Sequence, residues 1–481
     1  MNVSNFVRKT AILFTFFTWV TGIDSARAGI LIVPDDYPTI QTAVDAAAEG
    51  DTVMLQPGRY YENVTIENKG ITLTSYYEML DDRSIRDRTI IDGMQSGLPL
   101  SIKDVSSEVI VKGLIITNGL SQIAGGIKSW YANVFFEDLL VIDNSTTNTM
   151  WCGGGGIYAG ASDMVLINSE IRNNSAYDFG GGVNIRVNST ARLENVLVKN
   201  NDVSGGAHSK GGGVHIDESS GIIISNCEIT GNNANKWGGG LAFGAGARVT
   251  ILNTTVAYNS ALNGGGGIYF NYDDIAVYVG NVISYNNTPQ EIYFDDICYN
   301  DTVTMFYSDI AGGVKSIYNS GFNVVQWLEG NITAYPQFID PGSGDYTLFD
   351  TSPCIDAGTA LFVHNGDTLI NMQPDGYIGP APDMGCYEYD PSVGMDDFPI
   401  RSEKGIFIYP NPAYNEMNLD IENVDFPIKM KIIALNGQVV LRQILTSERT
   451  WVDVSKLEAG LYLISIKGTE YEFMKKVIIL R

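Results

Sequence analysis

The chain has 481 residues and a formal net charge of −25 at neutral pH, with 55 acidic against 30 basic residues. A surface this acidic repels nucleic acid and anionic lipid, and it repels polyuronates and sulfated glycans unless cations bridge them. This charge favours neutral glycans or calcium as ligands. With three histidines and no Cys-x-x-Cys or Cys/His spacing, neither a zinc site nor transition-metal catalysis is expected.

The first 28 residues have the pattern of a secretory signal peptide. Arg8 and Lys9 precede an apolar run over residues 11–23, and a small-x-small cleavage site ends at Ala28. The apolar run is shorter than the ~20 residues that a membrane-spanning helix needs, and no other stretch could span a membrane. We therefore expect export and a mature chain that begins at Gly29.

A short helix is predicted directly after the mature N-terminus. Pro38 and Gly50 bracket it, and Ile40, Val44 and Ala47 form one apolar face. A solenoid needs its open first coil covered, and this helix would cover it.

Residues 32–64 resemble the opening of pectin-lyase-like right-handed β-helix proteins. The resemblance rests on Pro38 to Gln41, on Gly50-Asp51 and on Pro57-Gly58 followed by Tyr60. It implies the fold and is silent about any reaction.

The middle of the chain repeats with a period of 26 to 31 residues. Seven asparagines each close a segment of the form apolar-x-x-Asn: Asn118, Asn144, Asn174, Asn201, Asn232, Asn259 and Asn286. A second row, six residues earlier, consists of Asp138, Asn168, Asn195, Asn226 and Asn253. A period this regular is typical of a solenoid.

Each repeat opens with a glycine cluster and an apolar residue, and short runs rich in β-branched residues, such as Ile222 to Ile224, follow. These runs predict strands. Glycine costs ~1 kcal/mol inside a helix but suits a bend between strands, so each repeat predicts one coil of a parallel β-helix. Stacked asparagines at one bend would bond to each other and to the turn backbone, so we interpret the first row as a structural ladder.

The two-residue period of a strand predicts which side chains face outward. If the apolar residue after each glycine cluster points inward, the next one points out. The first outward row is then Lys128, Tyr158, Asn184, His215, Ala242 and Tyr269. The second outward row, two residues further on, is Trp130, Gly160, Arg186, Asp217, Gly244 and Asn271. Aromatic faces beside polar groups are what a sugar chain requires, so we expect these rows to bind polysaccharide.

The sequence leaves three functions open. The first is a non-catalytic glycan-binding or adhesive protein, in which Lys128, Trp130, Asn184, Asp217, Tyr269 and Asn271 contact the sugar. The second is a polysaccharide lyase, with His215 or Tyr158 as the base and Arg186 neutralising the substrate carboxylate. A hydrolase fits less well, because it needs two carboxylates ~5 to 9.5 Å apart. The third is a structural rod without a ligand.

Cofactors and cysteines are predicted from composition. No cofactor is predicted with certainty; calcium is the one candidate, which the acidic runs 273–274, 295–296 and 340–345 could bind in a folded cage. Of the five cysteines, Cys354 and Cys386 lie in one compact stretch and are predicted to form a disulfide. The other three, Cys152, Cys227 and Cys298, are expected to pack inside coils.

Residues 305–390 resemble the C-terminal segment of exported β-helix proteins of the choice-of-anchor Q type. The resemblance rests on Pro336 with Phe338 and Asp340-Pro341, on Ser352 to Gly358, and on Pro382 to Tyr389. It implies that a surface-sorting module follows.

The last part of the chain has alternating apolar runs and an Asn-Gly hairpin, which predict a small antiparallel β-sandwich. Its motifs, Tyr409 to Pro412 and Leu435 to Gln438, resemble the type A sorting domain of the type IX secretion system. This implies the secretion machinery as a partner and a protein, expected to be monomeric, that is released or attached to the outer cell surface. The predicted divisions are a signal peptide (1–28), a β-helix (29–304), its C-terminal segment (305–392), a linker (393–402) and a sorting domain (403–481).

Overall fold

The computed structural model describes residues 28–76, 83–147, 153–206, 208–219, 221–391, 406–409, 413, 416–421, 427–434, 439–447, 449–467 and 472–479. Cys152, the predicted linker and nearly all of the predicted signal peptide lie outside these residues. The predicted fold class is observed, since the described chain is almost entirely β and its solenoid strands pair in parallel with the next coil.

One coil contains four short strands on four faces of the rod, here called faces 1 to 4. In a representative coil they are Ile157–Gly160, Asp163–Ile167, Glu170–Arg172 and Ser175–Ala176. Alternating side chains such as Ile157, Met164 and Leu166 are buried. The chain therefore closes around a continuous apolar core that runs along the rod.

Faces 1 and 2 form one 20-stranded sheet because two long strands, Leu100–Lys112 and Ile127–Glu137, belong to both faces. The other strands of face 1 are Val64–Glu67, Ile157–Gly160, Val183–Arg186, Val214–Asp217, Leu241–Phe243, Ile268–Phe270, Ile292–Phe294 and Ile317–Tyr318. The other strands of face 2 are Ile30–Val33, Thr52–Leu55, Thr72–Ser75, Asp163–Ile167, Thr190–Glu194, Ile222–Ser225, Arg248–Leu252, Ala276–Gly280, Thr302–Phe306 and Val324–Trp327.

Faces 3 and 4 are separate parallel sheets. Face 3 contains Gly58–Tyr60, Thr89–Asp92, Ile115–Thr117, Leu140–Ile142, Glu170–Arg172, Leu197–Lys199, Glu228–Thr230, Thr255–Ala257, Ile283–Tyr285 and Asp309–Ile310. Face 4 contains Leu120–Ser121, Ser145–Thr146, Ser175–Ala176, Asp202–Val203, Asn233–Ala234 and Ser260–Ala261.

The predicted capping helix spans Ile40–Ala46 and begins with a capping box at Thr39. Its first backbone N–H groups, on Ile40 and Gln41, donate to the carboxylate of Glu62, and Ile40, Ala43 and Val44 are buried. The helix therefore covers the first coil as expected. The remaining helical elements of the described chain are Arg83–Arg86 and the 3-10 turn Gly313–Ser316.

The asparagine ladder lies at the bend between faces 3 and 4. From Asn174 onward, each amide oxygen accepts from the backbone N–H and side-chain amide of the asparagine one coil earlier, as Asn201 does from Asn174 at 3.0 and 3.1 Å. The ladder consists of Asn144, Asn174, Asn201, Asn232, Asn259 and Asn287. The buried Glu291 closes it, because its carboxylate accepts from the backbone and amide of Asn287.

Two members of the predicted ladder, Asn118 and Asn286, are wrong by one position. Both have left-handed backbone, with φ of 54° and 57°, and precede the inward position, which Gly119 and Asn287 occupy. At this bend the first residue has positive φ in each coil, as at Asn173 and Gly231, and the second residue points inward. In the last coil Ser284 replaces the inward apolar residue of the motif, so the motif apolar-x-x-Asn fits one residue earlier and predicts Asn286 in place of Asn287.

The predicted disulfide between Cys354 and Cys386 is not formed, and all described cysteines are free. Residues 332–391 fold back along face 3, where the Cys354 thiol contacts Asp309 and the Cys386 thiol contacts Thr255, each at 3.4 Å. These two face 3 strands are two coils apart, ~9.6 Å at the usual strand spacing. Each thiol therefore contacts a different coil, and no disulfide joins the two cysteines. Cys227 and Cys298 are buried, as expected.

The folded-back segment contains two antiparallel hairpins and packs on the rod through apolar side chains. The hairpin strands are Phe338–Asp340 with Asp345–Leu348 and Leu361–His364 with Asp367–Asn371. The first hairpin shares a buried cluster with Ala257 and Ile283 of face 3, and Phe362 of the second stacks on Phe306 of face 2.

The C-terminal region forms two antiparallel sheets around a core of its own, in agreement with the predicted small sandwich. The three-stranded sheet contains Ile406–Tyr409, Glu416–Ile421 and Arg449–Asp453. The four-stranded sheet contains Ile428–Ala434, Val439–Leu445, Gly460–Lys467 and Glu472–Ile479.

Asp301 gives the coil stack a predicted pH dependence. Burial raises the pKa of this carboxyl group from 3.8 to about 6, so the folded state holds a proton that the unfolded state has lost between these values. The resulting stabilisation is complete below about pH 4 and is lost as the pH rises through about 6, which amounts to about 3 kcal/mol. Asp301→Asn should reduce this dependence, measured as thermal midpoints across that window. An equal pH dependence in both proteins would contradict the assignment.

Candidate functional site

The register of face 1 brings the predicted outward residues into two rows. Lys128, Tyr158, Asn184, His215, Ala242 and Tyr269 pair in sequence, one per coil. In the second row Trp130 pairs with Gly160, Gly160 with Arg186, and Arg186 with Asp217. Arg186 and His215 therefore lie on adjacent strands of one face, both directed away from the main core.

The first row continues through two tyrosines that sequence reasoning missed. Tyr269 pairs with Tyr293, and Tyr293 pairs with Tyr318. No glycine cluster precedes the strand that carries Tyr293, whereas the predicted rows begin from such clusters. The repeated triplet Ile-Tyr-Phe, at residues 268–270 and again at 292–294, was the available signal.

The middle of the first row is buried, which corrects the expectation of an exposed strip. The bends before the glycine clusters fold over face 1, and Phe179, Lys210 and Trp237 pair as a parallel ridge. His215 stacks on Phe179 with ring centroids 4.7 Å apart and is 2% exposed, and Tyr269 stacks on Trp237. Strand alternation predicts that these side chains leave the core, but it cannot predict the ridge that covers them. The same correction applies to the predicted sugar contacts Asn184 and Asn271 and to Tyr158, the alternative catalytic base, since all three are also buried.

His215 is neutral in this environment. Its Nδ1 lies 2.9 Å from the amide oxygen of Asn184, whose amide nitrogen donates to the carbonyl of Gly153. An amide oxygen accepts only, so Nδ1 carries the imidazole proton. Burial, followed by the positive charges of Arg186 and Lys210, lowers the pKa of His215 well below its usual value.

The two cations of the site are held by carboxylates and aromatic rings. Arg186 forms an ion pair with Asp217 at 2.9 Å and lies 5.4 Å from the centre of the Phe179 ring. Burial lowers the pKa of Lys210, and the nearby carboxylates of Asp217 and Asp295 oppose this shift. The Lys210 ammonium also lies over the rings of Trp237 and Tyr272. The positive charges of Arg186 and Lys210 are therefore matched by the negative charges of Asp217 and Asp295.

The C-terminal end of the row is open and aromatic. Tyr293 and Tyr318 stack with ring centroids 4.4 Å apart and planes within 9°, and Tyr318 is 40% exposed. The Tyr318 hydroxyl donates to Asp296 at 2.9 Å. Burial, followed by the charge of Asp296, raises the pKa of Tyr293 to about 12, so its hydroxyl remains a hydrogen-bond donor. We call Tyr293, Tyr318, Asp295 and Asp296 the tyrosine platform.

The N-terminal end of the rows is also partly open. The Lys128 ammonium lies over the Trp130 ring, and Trp130 stacks on Tyr158 with centroids 6.2 Å apart. Trp130 also meets Tyr131 edge to face at 5.1 Å, at the corner between faces 1 and 2.

The acidic runs are engaged in protein contacts. Asp273 accepts from the backbone of Tyr299, Asp274 pairs with Arg248, and Asp296 accepts from Tyr318. Among the described residues, no group of three or more histidine, cysteine, aspartate or glutamate side chains is arranged to hold a metal ion. Calcium binding stays a prediction.

Comparison with known families matches two regions of the chain. Residues 155–332 match the family of right-handed β-helix regions, and residues 407–480 match the secretion system C-terminal sorting domain. No curated protein matches the chain. In the described part of the chain, no helix is both long and apolar enough to cross a bilayer.

The narrower resemblances of residues 32–64 and 305–390 stay predictions. The two matched regions agree with the parallel coils and with the separate antiparallel sheets described above. The chain is therefore a right-handed β-helix protein with a type IX secretion sorting domain, which directs it to the cell surface or out of the cell.

Proposed function

We propose that the exported β-helix binds a neutral polysaccharide without cleaving it and that the tyrosine platform is its contact surface. The observation that carries this proposal is the stack of Tyr293 and Tyr318 beside the carboxylates of Asp295 and Asp296. Aromatic faces pack against the C–H faces of sugar rings, and carboxylates accept hydrogen bonds from sugar hydroxyls. The platform is open at Tyr318, where a chain of sugars can reach it.

The charge of the platform favours a neutral glycan over an acidic one. Asp295 and Asp296 lie next to each other, and Asp273 and Asp274 belong to the preceding coil. Lys210, which lies close enough to Asp295 to interact with it, is engaged with the ring of Trp237, and Arg248 is paired with Asp274. A polyuronate would bring further negative charge to this surface, which is unfavourable unless cations bridge the two.

The geometry supports binding better than the lyase alternative. A lyase base must reach a proton on the substrate, whereas His215 lies under Phe179 and its Nδ1 is bonded to Asn184. Arg186, the proposed electrophilic group, is paired with Asp217. Both groups would have to leave these contacts before a uronate could be bound and deprotonated.

The proposal predicts that Tyr318→Ala weakens glycan binding about tenfold, because the loss of one aromatic contact of ~1.4 kcal/mol corresponds to that factor. A glycan array with and without calcium would identify the sugar, and titration calorimetry on the full chain would measure the affinity. Tyr61→Ala is the matched control, since Tyr61 is an exposed tyrosine at the other end of the rod. Its affinity should equal that of the unmodified protein.

Two outcomes would overturn the proposal. If the protein binds no glycan on the array, the structural-rod hypothesis is favoured instead. If uronic-acid polymers incubated with the protein develop the ultraviolet absorbance of an unsaturated product, and this activity is lost in His215→Ala or Arg186→Ala, the lyase hypothesis is favoured.

A further inference from the structure

The outer surface of the four-stranded sheet in the sorting domain carries four cations that lie opposite one another. Lys429 pairs in register with Lys467 on one neighbouring strand, and Lys431 pairs with Arg442 on the other. Side chains alternate between the two surfaces of a strand, and Met430, between the two lysines, is buried in the domain core. The four cations therefore share the outer surface, and we call them the cationic face.

The cationic face is unfavourable for the domain by itself, because like charges directly opposite each other destabilise a sheet. Lys429 and Arg442 are exposed, and in the described part of the chain no carboxylate forms an ion pair with Lys429, Lys431 or Arg442. Glu472 lies opposite Lys467 on the next strand, so the unmatched positive charge belongs to the other three residues. Such charge favours a negatively charged partner.

Apolar residues beside the cationic face favour a protein surface as that partner. Val440 and Ile444 alternate with Arg442 on the edge strand Val439–Leu445, and both are exposed. Among the described strands this one pairs only with Ile428–Ala434, so its other edge is open. Cations beside exposed apolar side chains and an open strand edge are typical of an interface with another folded segment.

The folded-back segment of the same chain has a strongly acidic surface. Residues 332–391 contain nine carboxylates and neither lysine nor arginine. Five of the aspartates are exposed: Asp340, Asp350, Asp356, Asp367 and Asp375. None of these five forms an ion pair with a described residue. The segment therefore carries the negative charge that the cationic face lacks.

Three carboxylates of this segment lie close together near its C-terminal end. Asp383 accepts from the backbone N–H of Asp356 at 2.7 Å, and Glu388 accepts from the backbone N–H of Asp383 at 3.1 Å. Burial, followed by the negative charges of Asp383 and Asp356, raises the pKa of Glu388 to about 7. No ion pair within the described chain involves any of the three, so a cation that approached them would relieve their repulsion.

The chain between the two parts is long enough to bring them into contact. The described part of the folded-back segment ends at Pro391, and the described sorting domain begins at Ile406. The residues between them span at most ~50 Å. A tether of this length gives the two surfaces an effective concentration on the order of millimolar, so a contact too weak to join separate molecules can form within one chain.

We propose that the cationic face docks on the acidic surface of the folded-back segment in the same chain. In this structure Lys429, Lys431 and Arg442 do not contact the described carboxylates of the segment, so the docked chain is a second arrangement. Docking covers the cationic face until a more strongly acidic partner displaces the segment. The proposal does not rest on glycan binding.

Carbodiimide cross-linking of the full chain tests the contact, because it joins a lysine amine only to a carboxylate that touches it. In low salt we expect Lys429 or Lys431 to be joined to an acidic residue of the segment within single chains, identified by mass spectrometry of the monomer. At 1 M salt, where charges are screened beyond ~3 Å, the yield should fall at least about tenfold.

Arg442→Glu is the informative variant, since it reverses one charge of the cationic face and leaves both lysines available for cross-linking. It should lower the yield at Lys429 and Lys431 about tenfold in low salt. Lys456→Glu is the matched control, because Lys456 is an exposed lysine of the same domain outside the sheet and the substitution changes the net charge equally. Its yield should equal that of the unmodified protein.

Three results would overturn the proposal. Cross-links that join two chains would make a second copy the occupant of the cationic face. Yields that are unchanged at 1 M salt or in Arg442→Glu would show that charge does not hold the contact. If no cross-link to residues 332–391 forms, the face does not dock on the segment. Sedimentation of the unmodified protein, but not of Arg442→Glu, with phosphatidylglycerol vesicles would then assign the face to an anionic lipid surface.

Discussion

Asn201→Ala is expected to destabilise the β-helix by about 4 kcal/mol, because it removes the middle of the buried ladder. The Asn201 side chain accepts from the backbone and amide of Asn174 and donates to Ile171 and Asn232. Alanine leaves the backbone N–H of Asn174 and the carbonyl of Ile171 without these partners, and each orphaned buried group costs ~1 to 3 kcal/mol. Urea denaturation of the full chain, followed by circular dichroism, measures the change.

The matched control for the ladder is Asn233→Ala. Asn233 follows the ladder residue Asn232 directly, but it is exposed and bonds to Asp202 and Ser260 on the surface. A surface change of this kind is expected to alter stability by less than about 0.5 kcal/mol. Equal losses in the two variants would contradict the structural role assigned to the ladder.

Lys199→Met is expected to destabilise the protein by about 3 kcal/mol, because it leaves a buried carboxylate without its cation. The Lys199 ammonium lies 2.9 Å from Glu228, which is fully buried where the folded-back C-terminal segment covers face 3. The hydroxyls of Thr230 and Tyr387 also donate to Glu228, and Tyr387 belongs to that segment. Loss of the cation should therefore loosen the segment as well as the coil.

The experiment combines denaturation with limited proteolysis of residues 332–391. Lys199→Met should lower the denaturation midpoint and accelerate cleavage in the segment. Arg172→Met is the control, because Arg172 pairs in register with Lys199 one coil away and forms its ion pair with the partly exposed Glu170. Such a surface pair contributes ~0 to 1 kcal/mol. If the two variants have the same denaturation midpoint and the same cleavage rate, loss of the cation beside the buried Glu228 does not destabilise the protein as expected.

The fold could be predicted from the sequence because the residues that determine it repeat in every coil. Glycine clusters, inward apolar residues and bend asparagines recur once per coil, so one reading of the pattern fixes many strands at once. The predicted ladder is wrong at Asn118 and Asn286 because each of these residues lies in a coil that departs from the repeat. The disulfide prediction failed because proximity along residues 354–386 says nothing about which coil each thiol reaches.

Only part of the candidate site could be predicted from the sequence. The two-residue period placed Arg186, His215 and Asp217 on one face, but burial of His215 depends on Phe179, which reaches it from the bend of another segment. The bulge at the corner between faces 1 and 2 could not be predicted, because the effect of the two additional residues Ser106 and Ser107 on the register appears only when coils are stacked. Residues that repeat in every coil predict the scaffold, whereas the shape of its surface depends on residues that depart from the repeat.

A crystal structure of the full chain with the neutral oligosaccharide that the array identifies tests the proposed binding surface most directly. We expect sugar rings against Tyr293 and Tyr318, with hydroxyls bonded to Asp296, and coils whose asparagine ladder runs from Asn144 to Asn287. A sugar bound only on face 3 or face 4, with the tyrosine platform bare, would contradict this expectation.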